Sequence, residues 1–310
     1  MPFERETNDK NMVRTSCCAV CFQGQFSETR LLDSISIKTC LNCGFRVSDI
    51  TPGANIDRGY ARVNDNAYHQ SISKVRRHQA LEILSFVNEY RSPGGAWFDI
   101  GCGCGLLLFE TKRSGYKIFG IEPDEKAAGY ARTSVGDEYV VSGVMTNDTI
   151  PDSSVDIISM LDVLEHLPAA NLSDFAEMVH RKLRTGGLWV IKVPSTDGLY
   201  FTLAHRLAKG PRAIMSGIIK RLWQSEYEFP HTVYFSQQTL RRYLDNHGFT
   251  VIASRYLADV PNDTVIDRLL IDSTIPRWQA FLIAPAFYLI NFVESWRGKS
   301  DALLMLARKS

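Results

Sequence analysis

Trp97-Phe98-Asp99-Ile100-Gly101-Cys102-Gly103-Cys104-Gly105 is the stretch on which the fold turns. Residues 96–100 form a short apolar run broken only by Asp99, the pattern of a buried parallel strand. Gly101, Gly103 and Gly105 then allow a sharp turn and a close approach of backbone to ligand. Residues 106–112 restart a helix, whose first amide hydrogens have no intrahelical partner. A second strand over 117–121 ends at Glu122, 21 residues past Gly101, where a carboxylate can accept hydrogen bonds from both hydroxyls of a ribose. Strand, glycine turn, helix, strand and acid together make a nucleoside-cofactor pocket, although a glycine-rich βα turn by itself is also met without a ligand.

The dinucleotide fingerprint Gly-x-Gly-x-x-Gly would place its third glycine at Leu106, which disfavours an NAD-linked oxidoreductase. Gly-x-Gly-x-Gly preceded by Asp99 instead resembles motif I of the class I S-adenosylmethionine (SAM) methyltransferases. Gly120-Ile-Glu-Pro123, Asp162-Val-Leu-Glu165-His166-Leu and Leu183-Arg-Thr-Gly-Gly-Leu188 follow in that family's order. The likeness covers about residues 75–258. It implies an α/β fold: a seven-stranded Rossmann-like sheet with helices on both faces. It also implies SAM binding by Asp99, Gly101, Gly103, Gly105, Glu122, Pro123, Leu161 and Asp162. In the family an acid past the third strand often binds adenine; here Val144 stands in that place, leaving backbone groups for the task.

The chain of 310 residues exceeds the usual single domain, so one α/β domain with appendages is expected. A net charge of +1 gives no reason to expect nucleic acid as a partner. The polar first residues show no secretory signal, so a cytoplasmic setting with reduced cysteines is expected, membrane association being the variant.

Cys18-Ala-Val-Cys21 and Cys40-Leu-Asn-Cys43 are two knuckles at the separation of a four-thiolate zinc site. Disulfides or merely buried cysteines are the alternatives. Such a ribbon would be structural, because four thiolates leave no open position on the metal. Between the knuckles residues 31–39 alternate like a hairpin strand. The expected organisation is a tail and zinc ribbon over 1–50, a linker over 51–74 and the methyltransferase domain over 75–310.

Within that domain a helix ahead of the first strand ends at Ser92-Pro-Gly-Gly, and its Arg77 either reaches the cofactor carboxylate or is a solvated charge. Strands are expected at 138–142, 155–161, 188–193, 249–256 and 302–308, the last antiparallel, with helices opening at Pro123-Asp124 and over 175–183 and 237–246. Residues 195–230 read as a helical lid, whose 203–223 portion is basic and amphipathic. Residues 278–296, inside a helical segment at 265–298, are too short and interrupted to span a bilayer. Either stretch is a candidate for peripheral membrane contact.

For chemistry, methyl transfer needs a positioned nucleophile and, for a hydroxyl, removal of its proton. His166 and His231 are the candidate bases, with Glu165 placed to fix the tautomer of His166. Asp162-x-x-Glu165-His166 with His231 also resembles the ligand set of metal-dependent O-methyltransferases, which would bring Mg²⁺ or Mn²⁺. The expected reaction is transfer to oxygen of a small-molecule, glycan or lipid-linked acceptor. Sugar C-methylation, a metal-dependent route and a non-catalytic SAM-binding scaffold are the other readings.

Overall fold

The computed structural model describes residues 17–32, 35–51, 66–207, 217, 219–225, 229–258, 261–271 and 277–310. The tail, most of the expected linker and the middle of the expected lid lie outside them. Among the described residues, eleven strands fall into two sheets. The larger has seven strands in the order β10-β11-β8-β7-β4-β5-β6. These are β4 (Ala96–Ile100), β5 (Lys117–Glu122), β6 (Val140–Ser142), β7 (Val155–Leu161), β8 (Leu183–Pro194), β10 (Phe249–Leu257) and β11 (Ala302–Lys309). β4 to β8 run parallel, and β11 is antiparallel to both its neighbours.

Alternation along the strands divides the core. Trp97, Ile157 and Val190 pack on one face, while Phe98, Ile158 and Trp189 pack on the other. The first face is covered by α1 (Asn66–Asn88), α2 (Leu106–Arg113) and α3 (Glu125–Val135), through residues such as Ile83, Leu108 and Ala131. α4 (Leu172–Lys182) and α6 (Gln237–Asn246) cover the second through Val179 and Leu244. α5 (Leu199–Leu207), α7 (Val265–Ile271) and α8 (Arg277–Arg297) complete the helices named here. Burying both faces is what makes the parallel strands near-continuously apolar.

Four local expectations change. α1 starts at Asn66, inside the stretch read as linker. The strand expected at 138–142 is a 3₁₀ turn, Asp137–Tyr139, before a three-residue β6. The turn expected at Arg184-Thr-Gly-Gly is instead part of β8, paired to β7 with a register shift between Val155 and Ile157. The cysteine region holds a true hairpin, β1 (Phe26–Leu32) against β2 (Ile35–Cys40), rather than one strand.

The smaller sheet, β1-β2-β3-β9, joins distant parts of the chain. β3 (Arg46–Ser48) pairs antiparallel with β9 (Val233–Tyr234), aligning Arg46 with Tyr234 and Val47 with Val233. Cys18, Val20, Cys21, Cys40 and Phe45 belong to the same buried cluster as Phe235, Leu240 and Tyr243. The cysteine module therefore packs on the α/β core, and its sheet ends in a strand of that core.

Candidate active site

The glycine turn sits at the carboxyl end of β4, between β5 and β7, where strand order reverses and open α/β sheets bind ligands. Gly101 has φ +71°, and a Cβ there would lie 2.5 Å from Val163 Cγ2, so close packing demands glycine. Gly103, at φ +53°, has open space around it and turns its N–H toward Glu122 Oε2 at 2.8 Å. Gly105 is the left-handed N-cap of α2. Glu122 Oε1 accepts the Asp124 N–H at 3.0 Å. Burial raises the Glu122 carboxyl above its usual range, opposed by these two backbone donors. Each carboxylate oxygen has a second lone pair, so both retain capacity for a diol.

Asp99 lies beneath the turn. Its Oδ1 accepts from Ser159 Oγ at 2.5 Å, and Ser159 in turn accepts from Trp97 Nε1 at 2.7 Å. Burial lifts the Asp99 carboxyl to about 7, with the neighbouring Glu122 charge adding to the effect. Asp99 thus braces the strand ends rather than reaching outward. Pro123 is exposed just before Asp124, which caps α3 by accepting the Lys126 N–H at 2.9 Å. Val144 stands beyond β6 and is 68% exposed.

Past Leu161 the chain kinks at Asp162, a non-glycine residue at φ +56°. Its N–H donates to the Lys192 carbonyl, and Lys192 Nζ donates to both carboxylate oxygens at 2.8 and 2.7 Å. Burial pushes the Asp162 carboxyl up, but the Lys192 and Arg76 charges outweigh it and hold the group below its usual range. Arg77 is not directed at this site; it pairs with Glu110 at 2.9 Å. Arg76 is the α1 cation whose field reaches Glu122, Asp162, Glu165 and Cys104.

Glu165, His166 and His231 come together, each able to place a ligand atom within 4.8 Å of the others. Asp162 is not in this cluster, being committed to Lys192, so the four-residue metal set reduces to three. His166 Nδ1 lies 3.1 Å from the Pro230 carbonyl oxygen, an acceptor, so Nδ1 carries the proton and Nε2 the lone pair. The carbonyl of Pro230, not Glu165, fixes this tautomer. Tyr234 Oη donates to the Leu222 carbonyl at 2.6 Å, so His231 Nδ1, 2.9 Å away, is the donor to that oxygen. His231 likewise keeps its lone pair on Nε2. Burial lowers His166 below the usual imidazole range and takes His231 down to about 3, with the His166 ring adding to the latter. Glu165 is 1% exposed, Oε2 has no partner, and burial with the Asp162 charge raises its carboxyl well above the usual range. Burial thus favours the neutral form of all three groups.

The cysteine module is bonded into this cluster. Ser48 donates its N–H to the Thr232 carbonyl at 2.8 Å and its hydroxyl to the His231 carbonyl at 3.1 Å. Thr232 N–H donates to the Glu165 carbonyl at 2.8 Å. From the lid side, Phe201 of α5 packs 4.8 Å from Tyr234, and Arg46 of β3 lies over the same Phe201 ring at 4.7 Å. In the knuckles, Cys18 and Cys43 Sγ are 3.6 Å apart and Cys21 and Cys40 Sγ 3.5 Å. All four lie within 4.8 Å of one another. Those spacings approach the ~3.8 Å between sulfurs on a tetrahedral zinc with Zn–S of about 2.3 Å. They are far from the ~2.05 Å of a disulfide.

A methyltransferase domain family model matches residues 72–254, more than half of the chain. The chain belongs to this methyltransferase family. An uncharacterized methyltransferase of Synechocystis is 27% identical over 203 residues, covering 64% of this chain and 85% of that protein. A probable S-adenosylmethionine-dependent methyltransferase of Mycolicibacterium smegmatis is 25% identical over 222 residues, 68% of this chain and 81% of the relative. Among solved structures, the geranyl diphosphate C-methyltransferase of Streptomyces coelicolor superposes with a TM-score of 0.52 at 16% identity. It covers 84% of this chain and 92% of that one, and supports the fold alone. The chain is a SAM-dependent methyltransferase of the class I fold.

Sequence reasoning missed Lys192 and Arg76. Lys192 had a signal, since it is the only charge within the apolar run of residues 188–194. Arg76 and Arg77 differ only in helix phase. Pro230 and Tyr234, which set the two tautomers, carry no local mark.

Proposed function

We propose that this methyltransferase acts on an oxygen of a small-molecule, glycan or lipid-linked acceptor, with His166 Nε2 removing the acceptor proton. The observation that carries this reading is the paired tautomer lock, which leaves both imidazole lone pairs on Nε2. When bound, SAM supplies an electrophilic sulfonium methyl group. Glu122 would accept from its ribose hydroxyls beside the backbone of Gly101, Gly103 and Gly105. Arg76 would face its carboxylate, and Leu161 and Val144 would line the base. Asp162, turned by its positive φ, is held by Lys192 just past the end of β7. Partly buried His166 is the base, and His231, 5.0 Å away between ring centroids, supports it. Zinc is assigned to Cys18, Cys21, Cys40 and Cys43 as a structural ion.

A second reading has an observation of its own. Glu165 Oε2 is buried without a partner, and Glu165, His166 and His231 each bring one ligand atom within 4.8 Å of the others, a donor set suited to one divalent cation such as Mn²⁺ or Mg²⁺. Turnover of labelled SAM with a panel of hydroxylated and carbon acceptors, before and after mild EDTA treatment that leaves the cysteine zinc in place, tests both. Activity that survives EDTA and disappears in His166→Ala supports the base. Activity abolished by EDTA and restored by Mn²⁺ supports the metal, and label appearing on carbon overturns the oxygen acceptor.

A further inference from the structure

α8 turns an uncharged apolar face to solvent. Its inward stripe is Ala280, Ala284 and Glu294, packed on α7 through Val265 and Leu269 and tied to α5 by Glu294, which accepts the Leu199 N–H at 2.7 Å. On the outward side Trp278, Phe281, Leu282, Leu289, Phe292 and Trp296 are each between 60% and 83% exposed. Residues 278–293 contain no Lys, Arg, Asp or Glu. Contiguous exposed apolar surface on this scale marks an interaction face.

Charge around the face selects the occupant. The sequence flanks the helix with Arg277 and Arg297, and Lys299 follows. Asp301, just beyond, accepts the Tyr200 and Phe201 N–H groups at 3.2 and 3.0 Å, so α5 starts from the C-terminal end of α8. Arg206, in the last turn of α5, is exposed. A two-fold partner of the same chain would bring these cations together, whereas an anionic lipid surface neutralises them. Indole rings near both ends of the face suit the headgroup boundary. Among the described residues no helix is long and apolar enough to cross a membrane, so the helix would lie in the surface.

We propose that α8, with the cations that flank it, docks the protein on an anionic lipid bilayer. β11 begins at the carboxyl edge of the sheet, Ala302 pairing with Pro194, so the docked end of α8 feeds into the edge that carries the candidate active site. The docking does not depend on the reaction assigned above.

The full chain is mixed with vesicles of phosphatidylcholine alone or containing phosphatidylglycerol, and partition is read by co-sedimentation. Tryptophan quenching by brominated lipid is read in parallel. Wild type should sediment with the phosphatidylglycerol vesicles and be quenched. The exposed-face variant L282Q/L289Q/F292Q, with its circular dichroism and Tm matched to wild type, should bind at least about tenfold more weakly. Wild type remaining in the supernatant with both vesicles overturns the proposal, as does equal binding by the variant. A wild-type dimer that ignores vesicles and becomes monomeric in the variant assigns the face to a second copy instead.

Discussion

Among the described residues, two clusters of side chains could hold a metal ion, and they are held in place by different physics. The cysteine tetrad is local: each knuckle supplies two thiols three residues apart, and Gly44 at φ +80° shapes the second turn. The Glu165–His166–His231 triad is assembled from residues 66 apart in sequence, by the Pro230 carbonyl at His166 and by Thr232 clamped between Glu165 and Leu167. Burial raises the Cys18 thiol to about 11 and lifts Cys43 as well, whereas at Cys21 burial is outweighed by hydrogen bonds from Asn42 and Gln23 that lower it to about 6. Two of the four thus resist ionisation until a cation joins them. In the triad burial favours the neutral forms, and both imidazole tautomers are fixed. One cluster waits for a metal to be stable, whereas the other is organised without one.

The largest test of that contrast is removal of zinc. One zinc per chain is expected, and structural zinc in small zinc-finger peptides contributes about 10–16 kcal/mol. Stripping it should release amide protection over residues 17–51. Because Ser48 bonds to His231 and Thr232, turnover should be lost as well. Hydrogen exchange on a zinc-free chain that keeps both protection and activity would break the comparison.

His166→Ala probes the triad directly. Removal of a general base should lower turnover by about 10²–10⁴-fold while leaving SAM affinity unchanged in calorimetry. Outside both clusters, Glu122→Ala should weaken SAM by about 1.5–3 kcal/mol without disturbing zinc content. Unchanged affinity would remove Glu122 from the cofactor site.

Glu165→Gln should have the smallest effect, within about tenfold in turnover, because burial favours the neutral carboxyl, which an amide matches in charge and size. Loss rescued by Mn²⁺ would turn the triad into a second metal site and erase the contrast. The pH profile sharpens the same point. The base works deprotonated and burial lowers the His166 pKa, so the acid limb of the rate should lie below the usual imidazole value of about 6.5. An acid limb above that value contradicts the buried, neutral His166.

What was legible in the sequence divides along the same line. Gly101 to Gly105, Glu122 and the four cysteines were readable because turn geometry, strand length and knuckle spacing are set by residues near one another in the chain. The pairing of β3 with β9 was not, since a three-residue strand and a two-residue strand have no periodicity to detect. Arg76 was passed over for Arg77 because both lie on one helix turn and only docking of α1 decides which faces Asp162 and which faces Glu110. Asp162 was read as a site acid from its motif, and only the fold shows Lys192 taking both its oxygens.

The pairing of β3 with β9 also bears on how the chain is made. Ser48 and His231 are 183 residues apart, so at about 5–20 residues per second β3 waits roughly 9–37 s on the ribosome for its partner. During that interval the small sheet ends in an open strand, with Val47 and Phe45 not yet covered by Val233 and Phe235. Exposed edges of this kind template association between nascent chains. Synthesis, rather than the finished molecule, is where this architecture is most vulnerable to aggregation.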